Sequence, residues 1–222
     1  QQDLALIKAR DALVRTRASL ILHVRSVCKG FGHRLAKGGS EAFARKAEIP
    51  DGLKPALDPL LEVIEELSQR IRVYDRVVDE TAARYPETRR LTQVTGVGTL
   101  TALAFVLTLE EASRFEQSRM VGPYLGLVPR RDQSGQTDRQ LPITKAGNTY
   151  LRSLLVSGAH YILGPFGPPC NLRRHGEALM KRGGTNAKKR AVVAVARKLA
   201  VLLHALWKSG AMYEPDRGWA AA

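Results

Sequence analysis

The chain has 222 residues, 44% of them hydrophobic and 25% charged, which suits one ordinary domain or two small ones and excludes a disordered chain. Its net charge of +14 is unevenly spread: residues 1–90 carry 17 Lys and Arg against 13 Asp and Glu, whereas residues 130–208 carry 15 against 3. Cys28 and Cys170 form no C-x-x-C pair, no signal-peptide pattern opens the chain, and the most apolar stretch, Ala191 to Trp207, is interrupted by Arg197, Lys198 and His204, so a reducing cytoplasmic setting is expected and no membrane span.

Leu4 to Val27 reads as a helix, with Leu6, Leu13, Leu20 and Val24 among its apolar positions. Lys29 to Gly52 is rich in Gly and Lys and reads as a connection holding one short helix, Glu41 to Lys46. From Leu53 to about Ala82 runs a heptad seam. Leu57, Leu60, Ile64, Leu67, Ile71, Tyr74, Val78 and Thr81 recur at alternating spacings of three and four. So narrow a stripe suits a coiled coil better than the broad face of a globular helix. Its partner is the Leu4–Val27 helix, a second copy of the same segment, or both.

Tyr85-Pro86 ends that helix. Leu91 to Leu103 then predicts two short helices joined by Gly96-Val97-Gly98. The default is an ordinary interhelical turn, but the pattern looks like a helix-hairpin-helix module whose free N–H groups hold a DNA phosphate. Pro123 to Ile143 is the least helical part, with Tyr124–Val128 and Gln140–Ile143 as short strands flanking a loop at 129–139. A helix capped by Asn148 runs to Leu163. After a Gly-Pro break at 164–169 come a helix from Leu172 to Lys181 and a long last one from Asn186 to Ser209. The fold class is therefore mainly α. A helix at 1–28, a connection at 29–52 and a coiled coil at 53–84 precede a compact helical domain at 85–222, with a helix-hairpin-helix-like motif and a small β-hairpin.

A field of one sign over residues 130–208 attracts polyanions and gains affinity by releasing their counterions, whereas a charge serving solubility alone need not be localised. Within that region a serine stands among arginines. A serine hydroxyl attacks a phosphodiester only where cations stabilise the negatively charged transition state. Arg130, Arg131 and Arg139 surround Ser134 in sequence, and Gly135 leaves its flank open. On composition alone the same Ser-Gly is a turn dipeptide. Lys145, Asn148 and Arg152 enter one helix, and Lys188, Lys189 and Arg190 stand in the first turn of the last. Cations there oppose the helix dipole at about 0.3–1 kcal/mol each, a cost that a bound phosphate offsets. The five histidines are dispersed without metal-ligand spacing. Glu110-Glu111, Asp132 and Asp138 could hold a divalent cation beside Ser134, though their spacing does not require one.

Taken in order, several motifs resemble the C-terminal transposase domain of the insertion-sequence recombinases related to the Piv DNA invertases. They are Val94-Thr95-Gly96-Val97-Gly98, Ser113-Arg114-Phe115, Tyr124-Leu125-Gly126-Leu127-Val128-Pro129 and Gln133-Ser134-Gly135. The match continues through Lys145-Ala146-Gly147-Asn148, Leu151-Arg152 and Val193-Ala194-Val195-Ala196-Arg197-Lys198-Leu199. Asp3 to Val14 looks like the family's segment just after its first domain. Thr95 stands where a proline often precedes the Gly-x-Gly.

The resemblance implies DNA transposition or site-specific recombination, with Ser134 as a nucleophile joined transiently to DNA as a phosphoserine. By charge and local position, Arg130, Arg131 and Arg139 are expected to hold the phosphate. Gly96, Val97, Gly98, Lys145, Asn148, Arg152, Lys188 and Lys189 are expected to meet the backbone. The resemblance also implies assembly through the coiled coil into a homo-oligomer and, in some members, a structured guide RNA. The family's Mg²⁺-binding Asp-Glu-Asp-Asp set belongs to a RuvC-like domain expected upstream of Gln1, so the chain reads as a fragment or truncated copy with no cofactor of its own. Asp3 and Asp11 do not match that motif. Two other readings of the residues stay open: a non-catalytic nucleic-acid module, and an oligomeric scaffold whose coiled coil is the active part.

Overall fold

In the computed structural model, which describes residues 1–134 and 137–216 and the backbone alone at 131–133 and 137–140, the heptad-spaced residues find a partner within the chain. Helices α1 (Gln2–Gly30) and α3 (Lys54–Ala83) pack antiparallel, ascending residues of one meeting descending residues of the other. Arg10 Nε donates to Asp75 Oδ1 at 2.5 Å and Arg17 Nη1 to Ser68 Oγ at 3.1 Å. Further along, Ile21, Val24 and Cys28 share a core with Leu57 and Ile64. Leu57, Ile64, Ile71 and Val78 are at most 2% exposed, while Leu60, Leu67 and Tyr74 on the flank are half-buried. Burying one such aliphatic side chain contributes about 1.5–3 kcal/mol, so the row repeating every seven residues carries the pairing. Helix α2 (Phe43–Lys46) lies in the connection, and its Phe43 joins the same core. The Arg25 guanidinium stands 5.0 Å from the centre of the Phe43 ring. It also donates to the carbonyls of Leu35 and Ala36, tying down a segment without regular structure.

Residues 1–81 make one compact unit and residues 82–222 another. The second is built around helix α5 (Thr99–Leu109), in which Thr101 to Val106 and Leu109 are all buried, as suits a helix apolar on nearly every face. Helix α4 (Pro86–Leu91) precedes it, with Pro86 at the helical start where no N–H is needed. The turn between them carries Gly96 at φ +80° against Gly158 of helix α7 (Thr149–Leu163). A Cβ on Gly96 would stand 2.7 Å from the Gly158 carbonyl oxygen, and one on Gly158 would stand 2.6 Å from that of Gly96. Glycine is required on both sides of this contact. Helices α7, α8 (Asn171–Lys181) and α9 (Ala187–Ser209) pack on one another, and α9 also covers α6 (Val121–Tyr124). Residues 211–216 fold back over the start of α8. There the Asn171 N–H donates to the Pro215 carbonyl at 2.9 Å, and Arg174 pairs with Asp216 at 2.7 Å.

The strand expected at Tyr124–Val128 does not form. Leu125 N–H donates to the Val121 carbonyl and Leu127 N–H to that of Gly122, closing a helical turn that Gly126 reverses at φ +66°. Leu125 and Leu127 are both buried, which produces a strand-like alternation in a segment that is not a strand. The antiparallel strands lie further on, β1 (Pro129–Ser134) and β2 (Thr137–Ile143), so most of the stretch read as a loop is the hairpin itself. Its register shifts between Pro129 and Arg131. The shift faces Leu141 and Pro142, where the proline has no N–H to give the ladder.

Candidate active site and nucleic-acid interface

The hairpin is held at its feet. Thr144 N–H donates to the Val128 carbonyl and Lys145 N–H to that of Gly126, extending the pairing past the strands. Beneath them the two chain segments nearly touch: a Cβ on Gly126 would lie 2.3 Å from Ala146 N, and one on Gly147 would lie 2.1 Å from the Tyr124 carbonyl oxygen. Arg152 reaches up from the first turn of α7 to tie both segments. Its Nη1 donates to the carbonyls of Leu125 at 3.0 Å and Ala146 at 2.7 Å, and its Nη2 to Thr149 Oγ1 at 3.1 Å. Ser134 is exposed at the end of β1, paired with Thr137.

The geometry sorts the sequence candidates. Arg130, Lys145, Lys188 and Lys189 are exposed. Arg131 and Arg139 lie on the hairpin backbone, but their side chains, with those of Asp132 and Asp138, fall outside the described residues. Arg152 is corrected from backbone contact to internal brace, because it is 8% exposed and its guanidinium is committed to the groups above. Asn148 is likewise engaged, its Oδ1 accepting from Leu151 N–H at 3.0 Å and its Nδ2 reaching Thr108 Oγ1 at 3.4 Å. Val97 is a core residue, Gly96 is packed on α7, and the exposed Gly98 caps α5 without a side-chain bond. Among the described residues no group of three His, Cys, Asp or Glu could hold a metal ion, and no helix is long and apolar enough to cross a membrane. Both cysteines are free and buried.

Residues 88–169, which span the hairpin turn, Ser134 and α7, match the transposase IS116/IS110/IS902 family. This segment is a domain of that family. The transposase for insertion sequence element IS1111A of Coxiella burnetii is 33% identical over 216 residues, which cover 93% of this chain and 58% of that protein. A probable family 20 transposase of Pseudomonas aeruginosa is 30% identical over 94% of this chain and 64% of its own length. The pilin gene-inverting protein of Moraxella lacunata is 28% identical over 117 residues. The chain thus spans about three-fifths of the first two relatives. The resemblance to insertion-sequence recombinases and Piv-type invertases agrees with these findings.

Beyond the matched segment, α8 and α9 line a groove of about 2050 Å³ together with residues 116–119, 213–215 and the base of the transposase-domain hairpin. Among the described residues seven Lys and Arg side chains line it against two Glu. In the sequence only the first turn of α9 stands out as a cation cluster, and Arg119, Arg182, Arg197 and Lys198 do not. A signal existed: Arg190, Arg197 and Lys208 stand seven and eleven apart, which is two and three helical turns. Beside the groove, His204 is fully buried. One ring nitrogen, Nε2, lies 2.9 Å from the Ala112 carbonyl and must carry the proton, so Nδ1 accepts from Ser118 Oγ at 2.9 Å. Burial pushes this imidazole below its ordinary value, and nearby Lys208 adds to the effect against the carbonyl bond.

Proposed function

We propose that this chain supplies the serine half of a DNA transposase or site-specific recombinase. The carrying observation is Ser134, exposed at the end of a hairpin whose two feet are tied together by Arg152. A nucleophile needs an accessible hydroxyl on a support that does not give way. Its Oγ would displace a deoxyribose oxygen from a DNA phosphorus. The serine proton leaves, the leaving oxygen gains one, and the phosphate is held as a serine ester until a DNA hydroxyl reverses the exchange. Arg130, Arg131 and Arg139 lie on the same hairpin, Arg130 exposed near its foot, and would supply the positive charge that stabilises the phosphorane. The names of the relatives, transposases and a gene-inverting protein, support the same chemistry.

By the family resemblance Mg²⁺ would be held by a separate RuvC-like domain, which would supply the ion's Lewis-acid chemistry. Lys145, Lys188 and Lys189 would contact backbone phosphates, and the Gly96–Gly98 turn would present the amides at the start of α5. A structured guide RNA would draw on the same positive surface, a reading that rests on the resemblance alone.

The test is Ser134→Ala in a protein that also carries the metal-binding half. Strand transfer should fall at least about a thousandfold, with DNA affinity within about twofold of the parent. Undiminished transfer would leave the hairpin as part of a non-catalytic binding module. A second reading concerns assembly. Val63, Val73 and Val77 of α3 are 36–47% exposed although α1 covers the buried row, so this helix keeps an apolar flank suited to a second copy of the chain.

A further inference from the structure

We propose that the groove along α8 and α9 takes the sugar–phosphate backbone of a single DNA strand running to or from Ser134. This deepens the transposase reading and rests on it. Arg119, Arg182, Lys189, Arg197 and Lys198 line the groove and are exposed, and no carboxylate pairs with them among the described residues. Arg190 and Lys208 donate to carbonyls, of Gly183 and of Phe115 and Glu116 respectively, which leaves their charges unneutralised. From Arg190 to Lys208 the α9 face runs about 27 Å, long enough to meet several successive phosphates. His175 lies in the same groove and is pushed below its ordinary value by burial and by Lys198 and Arg182.

The groove floor decides between nucleic-acid forms. Leu179, Val193 and Val201 line it half-buried. A duplex keeps its bases stacked inside and offers such a surface only phosphates and groove edges. A single strand lays sugars and bases on an apolar floor while its phosphates meet the cations along the walls. Pro129, Leu141 and Ile143 bring the hairpin base to the rim of this groove. A strand held there is therefore led toward the hairpin that bears Ser134, in a reaction that opens and exchanges strands.

The experiment titrates the 222-residue chain with a labelled single strand of about 20 nucleotides, the matching duplex and polyglutamate, over a range of salt. The strand should bind more tightly than either rival. Arg182→Gln with Lys198→Gln should weaken it at least about tenfold and flatten the log–log salt slope by about 1.4, two phosphates at about 0.7 each. Should that pair of changes lower the melting temperature, Arg119→Gln provides an independent variant on the segment before α6, expected to flatten the slope by about 0.7. Wild-type binding by folded variants overturns the proposal, and so does a duplex or polyglutamate that binds as tightly as the strand. Ser134→Ala should not change strand binding. A nucleophile reading that fails in strand-transfer assays therefore leaves this result standing, and the converse holds as well.

Discussion

A guanidinium carries five N–H donors in a fixed planar fork, and Arg152 directs that fork at the carbonyls of Leu125 and Ala146 and the hydroxyl of Thr149. Its task is to join the two feet of the Ser134 hairpin. Arg152→Met should leave those acceptors without a charged donor and destabilise the chain by about 2–3 kcal/mol, read as a lower urea midpoint. Arg152→Lys should recover only part of the loss, since an ammonium cannot bridge the same acceptors as a planar fork. A phosphate-binding role predicts the opposite pattern, unchanged stability with a salt slope reduced by about 1. From sequence, Arg152 and the capping Asn148 looked alike, polar residues at the start of one helix. The cap was legible because its partner is three residues away. The brace was not, because one of its acceptors lies 27 residues back and is brought close only by the Gly126 reversal.

Helix α9 is fastened to the segment before α6 by His204, whose ring bridges the Ala112 carbonyl and Ser118. Folding keeps this imidazole neutral, its value held below the ordinary 6.5 by burial first. As pH falls through about 6.5 the unfolded chain takes up a proton that the folded chain refuses, so the stabilisation is complete above that range and lost below it. Urea midpoints should therefore drop between about pH 7.5 and about pH 5.5, and His204→Gln should flatten the profile. A residual slope is expected from His175, whose value is lowered in the same direction. An unaltered profile in the variant would show that this bridge does not set the acid limit. At this scale the helices were legible from their periodicity and caps. Of the two strands, Gln140–Ile143 falls within β2, whereas the first was misplaced by one segment, because a buried turn at Leu125 and Leu127 shows the same alternation as a strand.

For the molecule as a whole, α3 has two apolar faces, one buried by α1 and one left with Val63, Val73 and Val77 exposed. If the second face joins copies, replacing those three valines by serine should reduce the sedimentation mass to that of a monomer while helicity stays near the parent value. An unchanged mass would move the assembly contact elsewhere. The heptad spacing could not say which partner the seam takes, since the same stripe suits any helix that presents a complementary row. Antiparallel pairing of Arg10 with Asp75 and of Arg17 with Ser68 assigns the fully buried row to α1.

By itself the sequence determined the mainly helical class, the turns at Pro86 and 164–169, the positive excess over 130–208 and the ordered motifs of the transposase family. These are carried by short-range periodicity, local caps and composition, which need no distant partner. The tertiary structure alone decided that Arg152 turns inward while Arg182, Arg197 and Lys198 line an open groove. It also decided that Gly96 answers to Gly158, and that the residues beside Ser134 are strand and not loop. Each of these depends on which remote backbone groups and side chains arrive at the same point, and burial, the energy that settles them, does not exist until they do.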